Sequence, residues 1–354
     1  MKFVLVTQDL NIGGAQRAII ELANNLVKSN HEVCLVTLIS QNEEYFKIDE
    51  RVQLKILSQK ESNNTLFKNI KRIIKLRRIV NSFRPDKVIS FLEHINILTI
   101  LSTLGSLSEV NVCIRNDPRR KKMSIIHGYL RRLTYPFANK VIVQTNSVAQ
   151  WASSLGLNEK IQVIPNFVRK LELKKESYEV SSVFKIVMIG RLVEQKGIDL
   201  LFKALALIPK GSINYSLSIY GEGELLEELQ GRSEKLGLSE NVDFKGTTNE
   251  ANRVLAEADL FVLSSRYEGY PNVLVEALST GTPSVAFDCP SGPRDITLNG
   301  ELGLLIEDGN ISKLANGIVE MYESEKLRTD LGKRSVNYFS NIDNVSILNK
   351  WLEN

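Results

Sequence analysis

The sequence predicts an α/β protein built from two doubly wound domains in tandem. Three observations carry this. At 354 residues the chain exceeds one ordinary hydrophobic core, and about 150 residues per domain suggests two. Short apolar runs alternate with amphipathic stretches almost throughout, the pattern of β-α units feeding parallel sheets. The alternation pauses in a polar, Lys/Glu-rich stretch and then begins again.

The first series reads FVLVT (3–7), a helix from Gly14 to about Lys28, EVCLVTL (32–38), a helix within 66–83 and KVISFL (87–92). It continues with a helix near 95–104, VNVCI (110–114), a helix near 124–135, KVIVQ (140–144), a short helix near 147–155 and IQVIP (161–165). The runs are apolar on both alternating faces, as strands covered on both sides require. Residues 1–167 form the expected first domain and 168–183 the linker. The second domain, 184–338, opens with FKIVMIG (184–190), followed by YSLSIYG (215–221), VDFKG (242–246), LFVLS (260–264) and PSVAF (283–287). A cleft between the two domains is the expected ligand site.

Composition narrows the function. With 43% hydrophobic and 24% charged residues, the chain is neither disordered nor of low complexity. No apolar run approaches the roughly 20 residues that span a bilayer. The opening MKFVLVTQDL reads as a buried strand rather than a secretion signal, so a cytoplasmic location is expected. Cys34, Cys113 and Cys289 lack disulfide or zinc spacing, and three histidines cannot supply a histidine-rich metal centre. The charge divides unevenly. Up to Pro165 there are 24 basic and 13 acidic residues, and afterwards 21 and 28, giving +11 and −7 within the total of +4.

Neither half carries G-x-G-x-x-G, which argues against a nicotinamide enzyme. Gly13-Gly14 follows the first strand, either as a tight turn or as a close backbone approach to phosphate. The most informative segment is SSRYEGYPNVLVEALSTGTPSVAF (264–287). Arg266 to Pro271 form a loop at the carboxyl end of a parallel strand, where open α/β sheets bind ligands. A helix then starts at Pro271-Asn272 and ends at Gly281. The N–H groups of Asn272, Val273 and Leu274 are expected to lack intrahelical acceptors and to favour a phosphate oxygen. Glu268 and Glu276 suit the diol of a ribose or hexose; alternatively, Glu276 complements the helix dipole and Glu268 is a solvated loop residue. In IGRLVEQKGIDLLFKAL (189–205), Arg191 and Lys196 follow another strand and could neutralise charge on a departing diphosphate. No D-x-D occurs, so a metal-independent site without cofactor is coherent.

GGAQR, IPNFV, GRLVEQKG, IYGEGE and EGYPNVLVEALSTGTPSV, in this order across nearly all of the chain, resemble the retaining, nucleotide-sugar-dependent glycosyltransferases of family four, with the GT-B fold. The resemblance implies two Rossmann-like domains, the second holding the sugar nucleotide, and a final helix within 339–354 crossing back to the first. It implies Arg191 and Lys196 at the diphosphate, Glu276 at the ribose and Glu268 at the donor sugar, with Glu268, Arg191 and Lys196 carrying catalysis. It places Asn272 to Leu274 near sugar and phosphate, beside Tyr270 and Pro271; Gly221 and Glu222 near the nucleoside; Gly246, Thr247 and Thr248 beside the base; and Gly14 facing the diphosphate. Many relatives place a histidine where this chain has Arg115, Asn116 and Asp117, which become candidates for acceptor-side or sugar contacts. The implied activity is transfer of a hexose or N-acetylhexosamine, most plausibly from a UDP-sugar, to a lipid-linked or growing saccharide in bacterial surface glycan synthesis. A same-fold epimerase or phosphorylase, or a non-catalytic scaffold, is the alternative.

The basic excess suggests a partner. LFKNIKRIIKLRRIVNSF (66–83) is an acid-free amphipathic helix, and RRKK with Arg131 and Arg132 lies in a second acid-free stretch. Both suit an anionic membrane surface or a lipid diphosphate, making the protein peripheral on the inner membrane face. The alternative is the wet face of helices that cover the sheet. Nucleic acid is not expected, because aromatic residues are not interleaved with the basic runs.

Overall fold

The computed structural model describes residues 1–11, 13–39, 47–57, 65–115, 117, 119 and 124–353. Two compact units divide them: Met1–Phe167 with Asn344–Asn354, and Val168–Asp343.

The first unit runs β1 (Lys2–Thr7), α1 (Gly14–Lys28), β2 (Glu32–Thr37), β3 (Gln53–Ile56), α2 (Thr65–Phe83), β4 (Lys87–Phe91), α3 (Glu93–Thr103), β5 (Glu109–Ile114), α4 (Ile125–Thr134), β6 (Lys140–Val143), α5 (Asn146–Ser153) and β7 (Ile161–Val163). Its seven strands lie in the order β3-β2-β1-β4-β5-β6-β7, all parallel. Phe3 to Val6 are wholly buried, since helices cover both faces of the sheet. Strand β3 escaped the sequence reading. It is a four-residue edge strand whose Leu54 and Ile56 stay exposed, so no buried run marks it.

The second unit runs β8 (Phe184–Ile189), α6 (Ile198–Leu207), β9 (Tyr215–Tyr220), α7 (Leu226–Lys235), β10 (Val242–Gly246), α8 (Ala251–Glu257), β11 (Leu260–Leu263), α9 (Asn272–Thr280), β12 (Ser284–Asp288), α10 (Pro293–Ile296), β13 (Leu304–Glu307), α11 (Ile311–Glu323) and α12 (Glu325–Ser340). The parallel order is β10-β9-β8-β11-β12-β13, with β13 also absent from the sequence reading because its apolar run is only three residues long. One buried cluster, containing Phe184, Phe202, Phe287 and Ile318, fills one side of the sheet. A second, containing Phe261, Leu274, Leu278 and Phe339, fills the other.

One boundary segment differs from what its polarity suggests. The expected linker is an integral part of the second unit, with Val168, Leu171 and Tyr178 buried. Its lysines donate to helix-terminal carbonyls, Lys174 Nζ to Ser279 at 2.6 Å and Lys175 Nζ to Ala258 at 2.7 Å, a favourable place for a cation. Arg328 closes over the segment, donating to the Tyr178 carbonyl at 2.8 and 2.9 Å. The final helix α13 (Asn344–Leu352) belongs to the first unit and buries Ile347, Leu348 and Trp351 there. Lys87 is only 1% exposed. It donates to the carbonyls of Leu352 (3.2 Å) and Glu353 (2.6 Å) and pairs with Glu109 at 3.0 Å, so an internal cation satisfies acceptors that the helix end leaves open.

Candidate functional site

In the second sheet the strand order reverses between β8 and β11, the topological switch point at which open α/β sheets bind ligands. The two loops leaving these strands carry Arg191, Lys196 and Glu268. Gly197 has φ +60°, and a Cβ there would meet the Ser264 carbonyl oxygen, so only glycine lets the first loop lie against the second. Further bonds lock them together. Arg266 N–H donates to Gln195 O (2.8 Å), Gln195 Nε2 to Tyr267 O (2.9 Å) and Ser264 Oγ to Lys196 O (3.1 Å). Arg266 also grips Asp199 with two parallel bonds of 2.8 Å. Burial acts to raise the Asp199 carboxyl, but its bonds and charge contacts with Arg266 outweigh this and hold it below the usual range.

This framework brings Lys196 and Glu268 together. Lys196 Nζ lies 2.7 Å from Glu268 Oε1, and Ser265 Oγ donates to the same oxygen at 2.7 Å. Glu268 is 6% exposed, so the solvated-loop alternative for it is excluded. Its Oε2 carries no hydrogen bond among the described residues and remains an acceptor for a hydroxyl. Arg191 is exposed, with its guanidinium outside any ion pair of the described residues. An ammonium that retains two donors beyond its carboxylate contact can receive a phosphate oxygen, and Arg191, five residues earlier in the same loop, supplies a second, exposed cation.

Helix α9 begins at Asn272, with Pro271 as N-cap, and ends at Gly281 with φ +84°, as the sequence indicates. One expectation is corrected. The Leu274 N–H donates to the Pro271 carbonyl at 3.0 Å, because the first turn tightens to i→i+3 spacing, and this donor is spent locally. Glu276 is buried on α9, Val273 is half-buried, and burial pushes the Tyr270 phenol upward, so the hydroxyl stays a neutral donor. The β9 loop joins the same strand ends. Gly221 has φ +141° with Gly190 O where a Cβ would stand, so its glycine is accounted for by loop packing. Glu222 is exposed, as is Thr247, while Gly246 O accepts from Gly221 N at 2.7 Å and Thr248 Oγ1 from Glu250 N at 3.0 Å.

In the first unit, exposed Gly14 opens α1 after an extended Gly13, with no acidic residue in the first turn. Arg115 departs from its expected place on the substrate side. It is 7% exposed, stacked 3.7 Å from the Phe91 ring centroid and 5.7 Å from that of Trp351 on α13, and it donates to Asn166 at 2.9 Å. Burial lowers the guanidinium to about 10. Its aromatic stack makes it an internal strut, which a sugar could reach only by displacing those contacts. Asp117 is wholly buried and takes both Arg119 nitrogens, with contacts of 2.9 Å; Asn116 lies outside the described residues, as do residues 120–122 of RRKK. Sequence reasoning did not find Ser265, Gln195 or the Arg266–Asp199 clamp. The available signal was position for two of them, since Gln195 and Ser265 sit next to charged residues in the loops leaving β8 and β11.

The reversed strand order, the loop-bound cations and carboxylate, and a second Rossmann-like unit define a GT-B α/β protein. Two family models tile the chain, "Glycosyltransferase Family 4" over residues 12–170 and "Glycosyl transferases group 1" over 169–337. The chain belongs to this glycosyltransferase family, whose members move a sugar from a nucleoside-diphosphate donor in glycan biosynthesis. It is 27% identical over 359 residues to a Campylobacter jejuni N-acetylgalactosaminyltransferase named for a diphospho-undecaprenol-linked acceptor, covering 100% of this chain and 98% of that protein. It is 32% identical over 195 residues to Staphylococcus aureus poly(ribitol-phosphate) α-N-acetylglucosaminyltransferase, covering 55% and 39%. The fold matches S. aureus TarM in complex with fondaparinux, α-GlcNAc-glycerol and UDP (TM-score 0.81, 18% identity, 99% of both chains). It equally matches Anabaena HepE in complex with UDP and glucose (TM-score 0.81, 18% identity, 99% of this chain and 98% of that one).

Proposed function

We propose that the protein transfers a hexose or N-acetylhexosamine from a UDP-sugar to a hydroxyl of a lipid-linked or growing saccharide at the inner face of a bacterial membrane, with the anomeric configuration retained. The observation that carries the reading is the Lys196–Glu268 pair at the switch point of the second sheet, with Arg191 beside it in the chain. Lys196 and Arg191 bind the diphosphate and offset the charge that grows on it as the glycosidic bond breaks. Glu268 accepts a donor-sugar hydroxyl through Oε2, and Glu276 holds the ribose. The lipid-linked acceptor follows the printed name of the Campylobacter relative, and UDP follows the contents of the solved structures with this fold.

The test is a thermal-shift screen over UDP- and GDP-sugars, followed by transfer to a diphospho-polyprenyl saccharide and determination of the anomeric configuration. A donor that binds the folded state raises Tm by mass action. No shift with any sugar nucleotide above millimolar concentration overturns the assignment.

A further inference from the structure

In the first sheet the strand order reverses between β1 and β4, so the loops leaving these two strands flank a switch point of their own. The backbone there is strained. Leu92, between β4 and α3, has φ +82° and ψ 137°, a conformation that a bulky residue holds only where its surroundings impose it. A buried polar network surrounds it. Ser90 Oγ donates to Asn96 Oδ1 at 2.8 Å, and Asn96 Nδ2 donates to the Cys113 carbonyl at 3.0 Å and to the Tyr135 hydroxyl at 2.9 Å. Ser90 and Asn96 are wholly buried, so the first turn of α3 is fixed from beneath. That turn carries exposed His94, whose Nε2 lies 2.7 Å from Gln8 Oε1 in the loop leaving β1.

The contact engages the amide oxygen of Gln8 and leaves its nitrogen. Gln8 Nε2 makes no hydrogen bond among the described residues, so its two N–H donors remain. Asp9, next in the chain, is 6% exposed. Its Oδ1 accepts from Gln16 Nε2 at 3.0 Å and from the Asn11 N–H at 3.2 Å. Its Oδ2 has neither a hydrogen bond nor a cation in ion-pair range among the described residues. A carboxylate this buried is costly to leave uncompensated. An open acceptor and open donors on consecutive residues are the complement of sugar hydroxyls, each of which gives one hydrogen and accepts another. The same negative charge repels a diphosphate, so it selects a polyol.

We propose that Gln8 and Asp9 form a saccharide subsite in the first unit, Gln8 Nε2 donating to one hydroxyl and Asp9 Oδ2 accepting from another, with His94 as the positioning residue that orients the Gln8 amide. Calling this sugar the acceptor rests on the transferase reading above; the subsite itself rests on the first unit alone.

Saturation-transfer NMR on the full chain, with the methyl glycosides of glucose, galactose, N-acetylglucosamine and N-acetylgalactosamine, reads the subsite directly. Transfer kinetics with the diphospho-polyprenyl saccharide read it in turnover. The parent is expected to give a saccharide signal. Asp9→Asn keeps the oxygen that Gln16 and Asn11 use and replaces only the open one. It is expected to hold the parent Tm, lose the signal and raise the acceptor KM about tenfold or more, the scale of one charge-assisted hydrogen bond, with the Kd for UDP at the parent value. Gln8→Ala, whose side chain bonds only His94 among the described residues, is the second variant and is expected to act the same way. His94→Ala is expected to raise the acceptor KM, and His94→Gln, which can still donate to Gln8, to restore it. A parent without saccharide signal, variants of Gln8 and Asp9 with parental signal and KM, or a loss that falls on UDP instead of the saccharide overturns the proposal. Failure of His94→Gln to restore KM overturns the positioning role. UDP stabilisation of the same proteins separates the two readings. An Asp9-dependent saccharide signal without any UDP effect removes the transferase reading and leaves the subsite; transfer indifferent to Gln8 and Asp9 removes the subsite alone.

Discussion

Exchanging the two ends of the site's ion pair one at a time separates a ligand-facing pair from a purely structural one. Lys196 Nζ and Glu268 Oε1 are 2.7 Å apart, with side chains 13% and 7% exposed. Removing either partner strands the other in a poorly solvated place, and the Ser265 bond only partly compensates, so Lys196→Met and Glu268→Gln should each cost about 2–3 kcal/mol of stability. Their effects on nucleotide binding should diverge. Lys196→Met removes a charge-assisted bond to phosphate worth about 1.5–3 kcal/mol, or roughly 10–100-fold in the Kd for UDP. Glu268→Gln releases the ammonium from its carboxylate, so UDP, which has no sugar for Glu268 to hold, should bind as tightly as before or tighter. Sugar transfer should fall in both. Isothermal titration with UDP at low and moderate salt reads the first quantity and a transfer assay the second. If Glu268→Gln weakens UDP as much as Lys196→Met does, the pair is structural and the diphosphate lies elsewhere.

Ser265→Ala should lower turnover by about tenfold while leaving the Kd for UDP unchanged, since it removes one bond to the carboxylate and none to the cation; parallel kinetics and titration check this. Lys87→Met should lower Tm by several degrees, because Glu109 and two carbonyls at the end of α13 lose an internal cation worth roughly 2–4 kcal/mol. Gly197→Ala should cost roughly 2 kcal/mol or more through the left-handed backbone and the Ser264 carbonyl, read as a lower urea midpoint. The Arg266–Asp199 clamp should show a pH signature. The Asp199 carboxyl lies below its ordinary value of 3.8 in the folded state, so the clamp's stabilisation is full above that pH and fades as pH falls through the lowered folded value. Arg266→Ala should therefore lower Tm clearly at pH 7 and much less at the acid end, and an equal loss at both refutes the assignment.

The fold was legible where burial leaves a signature in the sequence. FVLVT and LFVLS read as strands because both faces are covered, and Pro271 and Gly281 bracket α9 because their backbone preferences match its two ends. Strand β3 left little trace because an edge strand need not be apolar. The polar stretch from 168 to 183 misled because its lysines find carbonyl partners, so polarity there reflects helix-end chemistry rather than solvent. The charged members of the site were visible as types at strand ends. Their pairing was not, because it depends on β8 and β11 becoming neighbours across more than 70 residues of chain. Arg115 shows the opposite limit: a cation at a strand end looks like a ligand contact in sequence, and only the rings of Phe91 and Trp351 show that it faces inward.

The same logic applies to the charge of the first domain. Ion pairs such as Lys87–Glu109, Arg119–Asp117 and Arg131–Glu93 remove one charge of each sign, so they cannot reduce the excess of +11 up to Pro165; they only decide where it resides. Each internal pair uses one of only 13 acidic residues and leaves fewer to neutralise the surface. Lys140 and Lys160, which donate to carbonyls, consume no acid at all and leave their charge in place. The acid-free stretch from 118 to 158 carries seven basic residues, of which Arg119 and Arg131 pair with Asp117 and Glu93 from outside it. Raising ionic strength should reduce binding of this basic half to anionic vesicles, which sedimentation at two salt concentrations reads.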